Sequence, residues 1–176
     1  MRTEWVSPDI FSMLLAALMP ENRLALLVSM ATGLRISDVL SLRSERVASA
    51  LRGNCRLTVK EQKTGKSRRV YIPARLLSTM VRQSGRYYVF EHRTDPLKHR
   101  NRTTVYKDLR RVAKMYRVDG SKLKGTISPH TARKIYAVEA MRKYGRIDKV
   151  QSLLNHSSEA VTMLYAMADQ MSQNAR

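Results

Sequence analysis

Residues Thr32-Gly33-Leu34-Arg35-Ile36-Ser37-Asp38 mark a junction between two helices, and the rest of the chain can be laid out around them. Upstream, Leu24, Leu27, Val28 and Ala31 keep helical spacing from about Asn22, and Gly33 is placed to end that helix. Downstream, Ser37 and Asp38 are expected to cap a short helix through Leu42, which holds Arg35 and Asp38 close together near its start. Ahead of this pair, Ser7-Pro8 reads as an N-cap followed by proline at the first helical position. Phe11, Leu14, Leu15 and Leu18 then form an apolar face until Pro20.

Beyond the junction the period changes. Arg56 to Lys60 and Arg68 to Ile72 alternate with β-branched residues around Thr64-Gly65, which predicts a β-hairpin with Lys63 and Lys66 at its tip and Pro73 at its end. Helix is expected again over about Ala74 to Gln83, a short strand over Tyr87 to Phe90, and a basic, proline-broken loop over Glu91 to Arg100. Val105, Leu109, Val112 and Tyr116 restore helical periodicity, and Asp119 to Ser128 reads as a loop. From Ser128-Pro129 three more helices are expected, carrying Ile135, Val138 and Met141, then Ile147, Val150 and Leu154, then Val161, Leu164 and Ala168. The predicted architecture is mostly α with a small antiparallel β-sheet, a single domain over residues 1–176, without repeats or low-complexity tracts.

Lys and Arg outnumber Asp and Glu by 33 to 14 in 176 residues, a formal charge of +19. That excess points to a polyanionic partner, with nucleic acid the natural candidate, although charge alone does not choose DNA over RNA or exclude a solvated basic surface. The single cysteine, Cys55, forms no internal disulfide and no multi-cysteine metal site, so a reducing cytoplasm is the expected compartment and Cys55 is expected to be a small buried hydrophobe. Neither a signal-type apolar core in Met1 to Ser7 nor an apolar run of about 18 residues is present, so no membrane partner is expected.

Chemistry-bearing residues lie mostly in the second half. His130 and Arg133, in Ser128-Pro129-His130-Thr131-Ala132-Arg133, are three apart at a helix start and can face one phosphate, where the helix N-terminus adds partial positive charge. Leu153-Leu154-Asn155-His156 follows, then Tyr165. Each pair alone is a common coincidence, and a tyrosine at helical spacing is more often core than catalyst. Met30 and Met141 read as core filler. His92 and His99 lack metal-ligand spacing, so neither a metal nor another cofactor is expected. Lys66, Arg68, Arg93, Lys98, Arg100 and Arg102 are candidates for phosphate contact.

Taken in order, with Thr32 to Asp38 upstream and Lys63-Thr64-Gly65-Lys66 between, the set resembles the tyrosine recombinase (phage integrase) family over about Ser7 to Ala168. The resemblance implies catalytic roles for Arg35, Lys63, His130, Arg133, His156 and Tyr165, with Asp38 as the acidic residue that orients Arg35. It implies double-stranded DNA as substrate, a 3′-phosphotyrosine intermediate with a free 5′-hydroxyl, self-association into a tetramer on paired sites, and bacterial or phage origin. Two departures stand out. Asn155 occupies a position commonly held by glycine, a mild change because asparagine tolerates left-handed backbone. No room precedes Arg35 for the separate DNA-clamping domain that members usually carry.

The residue chemistry agrees. In-line attack on a phosphodiester builds negative charge on the non-bridging oxygens, and Arg35, Arg133 and His156 suit its stabilisation without a metal. A phenol of pKa about 10 lies roughly three units from ionisation at neutral pH, about 4 kcal/mol to be offset by a base such as His130 or by the cationic surroundings. Lys63 is the candidate acid for the leaving oxygen. The rivals are a type IB topoisomerase, against which His130 argues, a non-catalytic DNA-binding regulator on the same fold, and a basic RNA-binding protein.

Overall fold

A computed structural model describes residues 6–118, 121–122 and 127–155, in which helices dominate and a two-stranded hairpin is the main sheet. The first helices are α1 (Pro8–Ala16), α2 (Pro20–Thr32), α3 (Ile36–Leu40) and α4 (Ser44–Arg52); the hairpin follows as β1 (Arg56–Lys60) and β2 (Ser67–Tyr71). Then come α5 (Ala74–Gln83), α6 (Arg102–Met115), the two-residue strands β3 (Arg117–Val118) and β4 (Ser121–Lys122), α7 (His130–Tyr144) and α8 (Ile147–Leu153). Among the described residues no helix is long and apolar enough to cross a membrane.

Local signals explain most boundaries. Ser7 accepts the Ile10 N–H at 3.3 Å, capping α1, and Pro20 is the first residue of α2, so it opens a helix as well as closing the preceding turn. Gly33 ends α2 with φ +65°, the left-handed conformation expected of it. The α3 cap differs from expectation. Arg35 is its N-cap and no side chain caps it, because Asp38 lies inside the helix, fully buried, with Oδ1 accepting the Gln62 N–H at 2.9 Å. A tertiary partner has displaced the local one.

Two further differences concern the middle of the chain. Helix α4 was not among the expected elements, since its apolar face is only Val47, Ala50 and Leu51 in a polar stretch; these residues pack into the core. Tyr87 to Phe90 is not a regular strand. Tyr88 makes one bridge to Arg43, whose guanidinium lies 4.1 Å from the Tyr88 ring, while Val89 and Phe90 plug the core and Val89 N–H donates to Leu42 O at 3.0 Å. Within the region expected to be a loop, Asp119 to Ser128, Ser121–Lys122 pairs with Arg117–Val118.

The main core joins Phe11, Leu14 and Leu15 of α1, Leu24 and Val28 of α2, Leu77 of α5, Val105, Leu109 and Val112 of α6 and Ile135 of α7. Helix α7 packs along α2, and a smaller cluster of Ala137, Ala140, Val150 and Leu154 seats α8 against α7. The hairpin lays one face on this body. Leu57 opposes Val70 and Val59 opposes Arg68 on the inner side, whereas Arg56, Thr58, Lys60, Arg69 and Tyr71 are exposed. Cys55 is half-buried against the core with φ +58°.

Candidate active site

The site is organised around the carboxyl ends of α2 and α8. A helix leaves its last carbonyls without intrahelical donors. Here two arginines supply them. Arg68, reaching inward from β2, donates through Nη2 to Thr32 O and through Nη1 to Leu153 O. Arg133, on the first turn of α7 and 1% exposed, donates through Nη1 to Gly33 O at 2.7 Å and through Nη2 to Leu154 O at 3.1 Å. Successive carbonyls at the two helix ends are thus bridged by successive guanidiniums, whose charge also suits the negative ends of the helix dipoles. Asn155 leaves α8 at φ +62°, a conformation that asparagine tolerates.

Arg35 is brought beside this clamp by the turn at Gly33. A Cβ at Gly33 would lie 2.4 Å from Cδ1 of Tyr136, so only glycine allows α7 to approach the turn this closely. Arg35 is 7% exposed, and its Nη1 lies 2.7 Å from Oε2 of Glu61, whose carboxylate is fully buried. Glu61 also accepts the Thr64 hydroxyl at 3.1 Å through Oε2, and its Oε1 lies 3.9 Å from Arg68 Nη1. Among the described residues Glu61 is thus a carboxylate paired with Arg35, while Asp38 holds the root of the hairpin loop through Gln62. Burial raises the Asp38 pKa; the Gln62 N–H opposes that rise, Glu61 adds to it, and Arg35 and Arg133 oppose it.

The remaining expected residues distribute as follows. His130 is exposed at the first position of α7, and Lys63 and Lys66 are exposed on the hairpin turn. Arg93, Lys98 and Arg102 are exposed, with Lys98 Nζ 2.9 Å from Asp95 Oδ2. Arg100 is turned toward Asn22 Oδ1 at 3.4 Å and Glu21 Oε2 at 3.7 Å. Arg68, grouped by sequence with the surface cations, sits on the inner face because it shares the parity of Val70; burial pushes its pKa down, with Glu61 opposing. His156 and Tyr165 lie outside the described residues.

Glu61 is a site residue outside the expected set, and the sequence carries a signal for it. Leu57 and Val59 of β1 and Glu61 just past its end share one parity, so a strand read two by two aims Glu61 at the core. A carboxylate aimed there requires a cation.

With this geometry in place, the class is defined by comparison with known proteins. Residues 4–171 match the phage integrase family, and the chain belongs to it as a tyrosine recombinase catalytic domain. It is 29% identical over 176 residues to a tyrosine recombinase of Thermosipho africanus, covering 95% of this chain and 58% of that protein. To tyrosine recombinase XerA of Pyrococcus furiosus it is 30% identical over 150 residues, covering 82% of this chain and 49% of the other. Among solved structures, a lambda integrase dimer bound to a COC′ core site superposes with a TM-score of 0.71 at 18% identity, over 93% of this chain and 48% of that one. The chain thus spans about half the length of the curated relatives it matches.

Proposed function

We propose that this chain is the catalytic domain of a site-specific DNA recombinase that cuts and rejoins strands without a metal ion. The observation that carries the reading is that Arg133 donates to Gly33 O, two residues before Arg35, so that two buried guanidiniums from segments far apart in sequence meet at one turn. Two fixed guanidiniums suit a reaction in which charge develops on phosphate oxygens. The lambda integrase structure, solved on a core site, supports duplex DNA as the substrate.

In the proposed reaction the Tyr165 oxygen attacks phosphorus as the bond from phosphorus to the 5′-oxygen breaks. His130 takes the phenol proton, and Lys63 gives a proton to the departing 5′-oxygen. Arg35, Arg133 and His156 stabilise the added charge on the non-bridging oxygens. The phosphotyrosine retains the ester bond, so a 5′-hydroxyl from the same or another strand reverses the step without ATP. Exchange between two duplexes is assigned to a tetramer of such chains.

Tyr136, the tyrosine packed at the Gly33 turn, is a poor alternative nucleophile. Burial raises its phenol pKa, with Arg68 opposing, Tyr144 adding and Arg133 opposing.

The test is to trap protein on a nicked suicide duplex and map the modified residue, in excess EDTA. The expected result is an adduct at Tyr165, lost in Tyr165→Phe with DNA affinity almost unchanged. An adduct at Tyr136 or Tyr144, or one that needs magnesium, overturns the proposal. Exchange between two defined sites, rather than plasmid relaxation alone, separates a recombinase from a topoisomerase.

A further inference from the structure

The β1–β2 turn carries more than its exposed lysines. Glu61 N–H donates to Lys66 O and Gly65 N–H donates to Glu61 O, each at 2.9 Å, so Glu61 closes the turn through its backbone. Its buried carboxylate then accepts two hydrogen bonds on one oxygen: from Arg35 Nη1 at 2.7 Å and from Thr64 Oγ1 at 3.1 Å. Thr64 Oγ1 in turn accepts the Lys66 N–H at 3.3 Å. Lys63 lies in the chain between Glu61 and Thr64, which the hydroxyl-to-carboxylate bond joins.

We infer that Glu61 is a positioning residue, which fixes the turn bearing Lys63 relative to the guanidinium of Arg35. The inference rests on the recombinase reading, in which Arg35 stabilises phosphate charge and Lys63 protonates the leaving oxygen. A glycine-containing turn with exposed lysines has many accessible conformations, and a flexible donor delivers its proton inefficiently. A turn tied to a buried ion pair has few. Glu61, fully buried, acts through Arg35 and through Thr64.

A purely structural role for Glu61 predicts something different. Removing the carboxylate would then lower stability through the loss of its bonds to Arg35 and Thr64 and leave the chemistry of folded protein unchanged. The two roles part on the leaving group. A bridging 5′-sulfur departs as a thiolate with pKa about 8.5 and hardly needs an acid, whereas the ordinary alkoxide does.

The experiment measures adduct formation on two suicide duplexes, one with oxygen and one with sulfur at the bridging 5′ position, for the wild type, Glu61→Ala and Thr64→Val. Thr64→Val leaves the Arg35–Glu61 pair intact, so it reports on the turn even where Glu61→Ala does not fold. Expected are DNA affinities within about twofold of wild type, oxygen-substrate rates lower by about tenfold, and a sulfur-to-oxygen rate ratio raised at least about fivefold in both variants. A ratio equal to that of wild type in the folded variants overturns the inference alone. Absence of any adduct with the wild type overturns the recombinase reading, and the inference with it.

Discussion

Arg133 donates to the carbonyl of Gly33 across 2.7 Å, tying the start of α7 to the turn that carries Arg35. One residue expected to face phosphate is thereby also a structural rivet, since its other terminal nitrogen holds Leu154 O. Arg133→Ala leaves two buried carbonyls without these donors and is expected to cost about 2–4 kcal/mol of stability. Any protein that still folds is expected to cleave at least about a hundredfold more slowly. Arg133→Lys, a single ammonium on a flexible stem, should recover little of either. Urea unfolding and adduct trapping on the same preparations check both expectations, and a Lys variant with wild-type stability contradicts the bridging role.

Gly33 is the tightest position near the site. Alanine there must adopt φ near +65° and meets the Tyr136 ring, so Gly33→Ala is expected to destabilise by about 2–4 kcal/mol. Adding Tyr136→Ala removes the clash and leaves the backbone strain. The double variant should therefore cost less than the sum of the single changes, a deficit readable from a thermal double-mutant cycle.

Arg68 and Lys66 differ by two residues and should behave differently on DNA. Lys66 is exposed, and Lys66→Ala is expected to reduce the salt dependence of binding by about one phosphate contact. Arg68 is turned inward onto Thr32 O and Leu153 O, so Arg68→Ala should lower melting temperature and leave the salt slope of folded protein unchanged. Affinity titrations at several salt concentrations measure the slopes; a reduced slope for Arg68→Ala would place that side chain on DNA.

Asp38 predicts a pH effect. Its folded pKa is raised, mainly by burial, so the folded state binds the proton more tightly than the unfolded chain. Its contribution to stability is therefore full below the ordinary carboxylate pKa of about 3.9 and is lost as pH rises through the higher folded value. Asp38→Asn does not titrate and retains an acceptor for the Gln62 N–H. The melting temperature of Asp38→Asn minus that of wild type should increase from pH about 4 toward neutrality. A constant difference across that range contradicts the assignment.

Lys63 and Lys66 share the turn, and their roles separate on the sulfur substrate. Lys63→Ala is expected to block cleavage of ordinary DNA and regain most of its rate with bridging sulfur, whereas Arg35→Ala, defective in charge stabilisation, is not. Rescue of Lys66→Ala instead would move the acid to that residue.

Helices α1, α2, α5, α6, α7 and α8, the hairpin and the left-handed Gly33 were legible in the sequence because each rests on a local signal: apolar spacing, a proline at a helix start, a glycine at a helix end. The proposed site series Arg35, Lys63, His130 and Arg133 rests on a related kind of signal, since residue type and order survive without coordinates. Pairing was not. Which carboxylate meets Arg35, which way Arg68 turns, and that Arg133 bonds Gly33 O all depend on α7 and the hairpin converging on the end of α2. Desolvation made those choices: a buried guanidinium or carboxylate must find a partner, and its partner is whatever the packing brings within reach. For Asp38 a partner was a backbone N–H of the hairpin loop, and among the described residues Arg35 met Glu61, an acid just past β1 whose parity with Leu57 and Val59 had already aimed it inward.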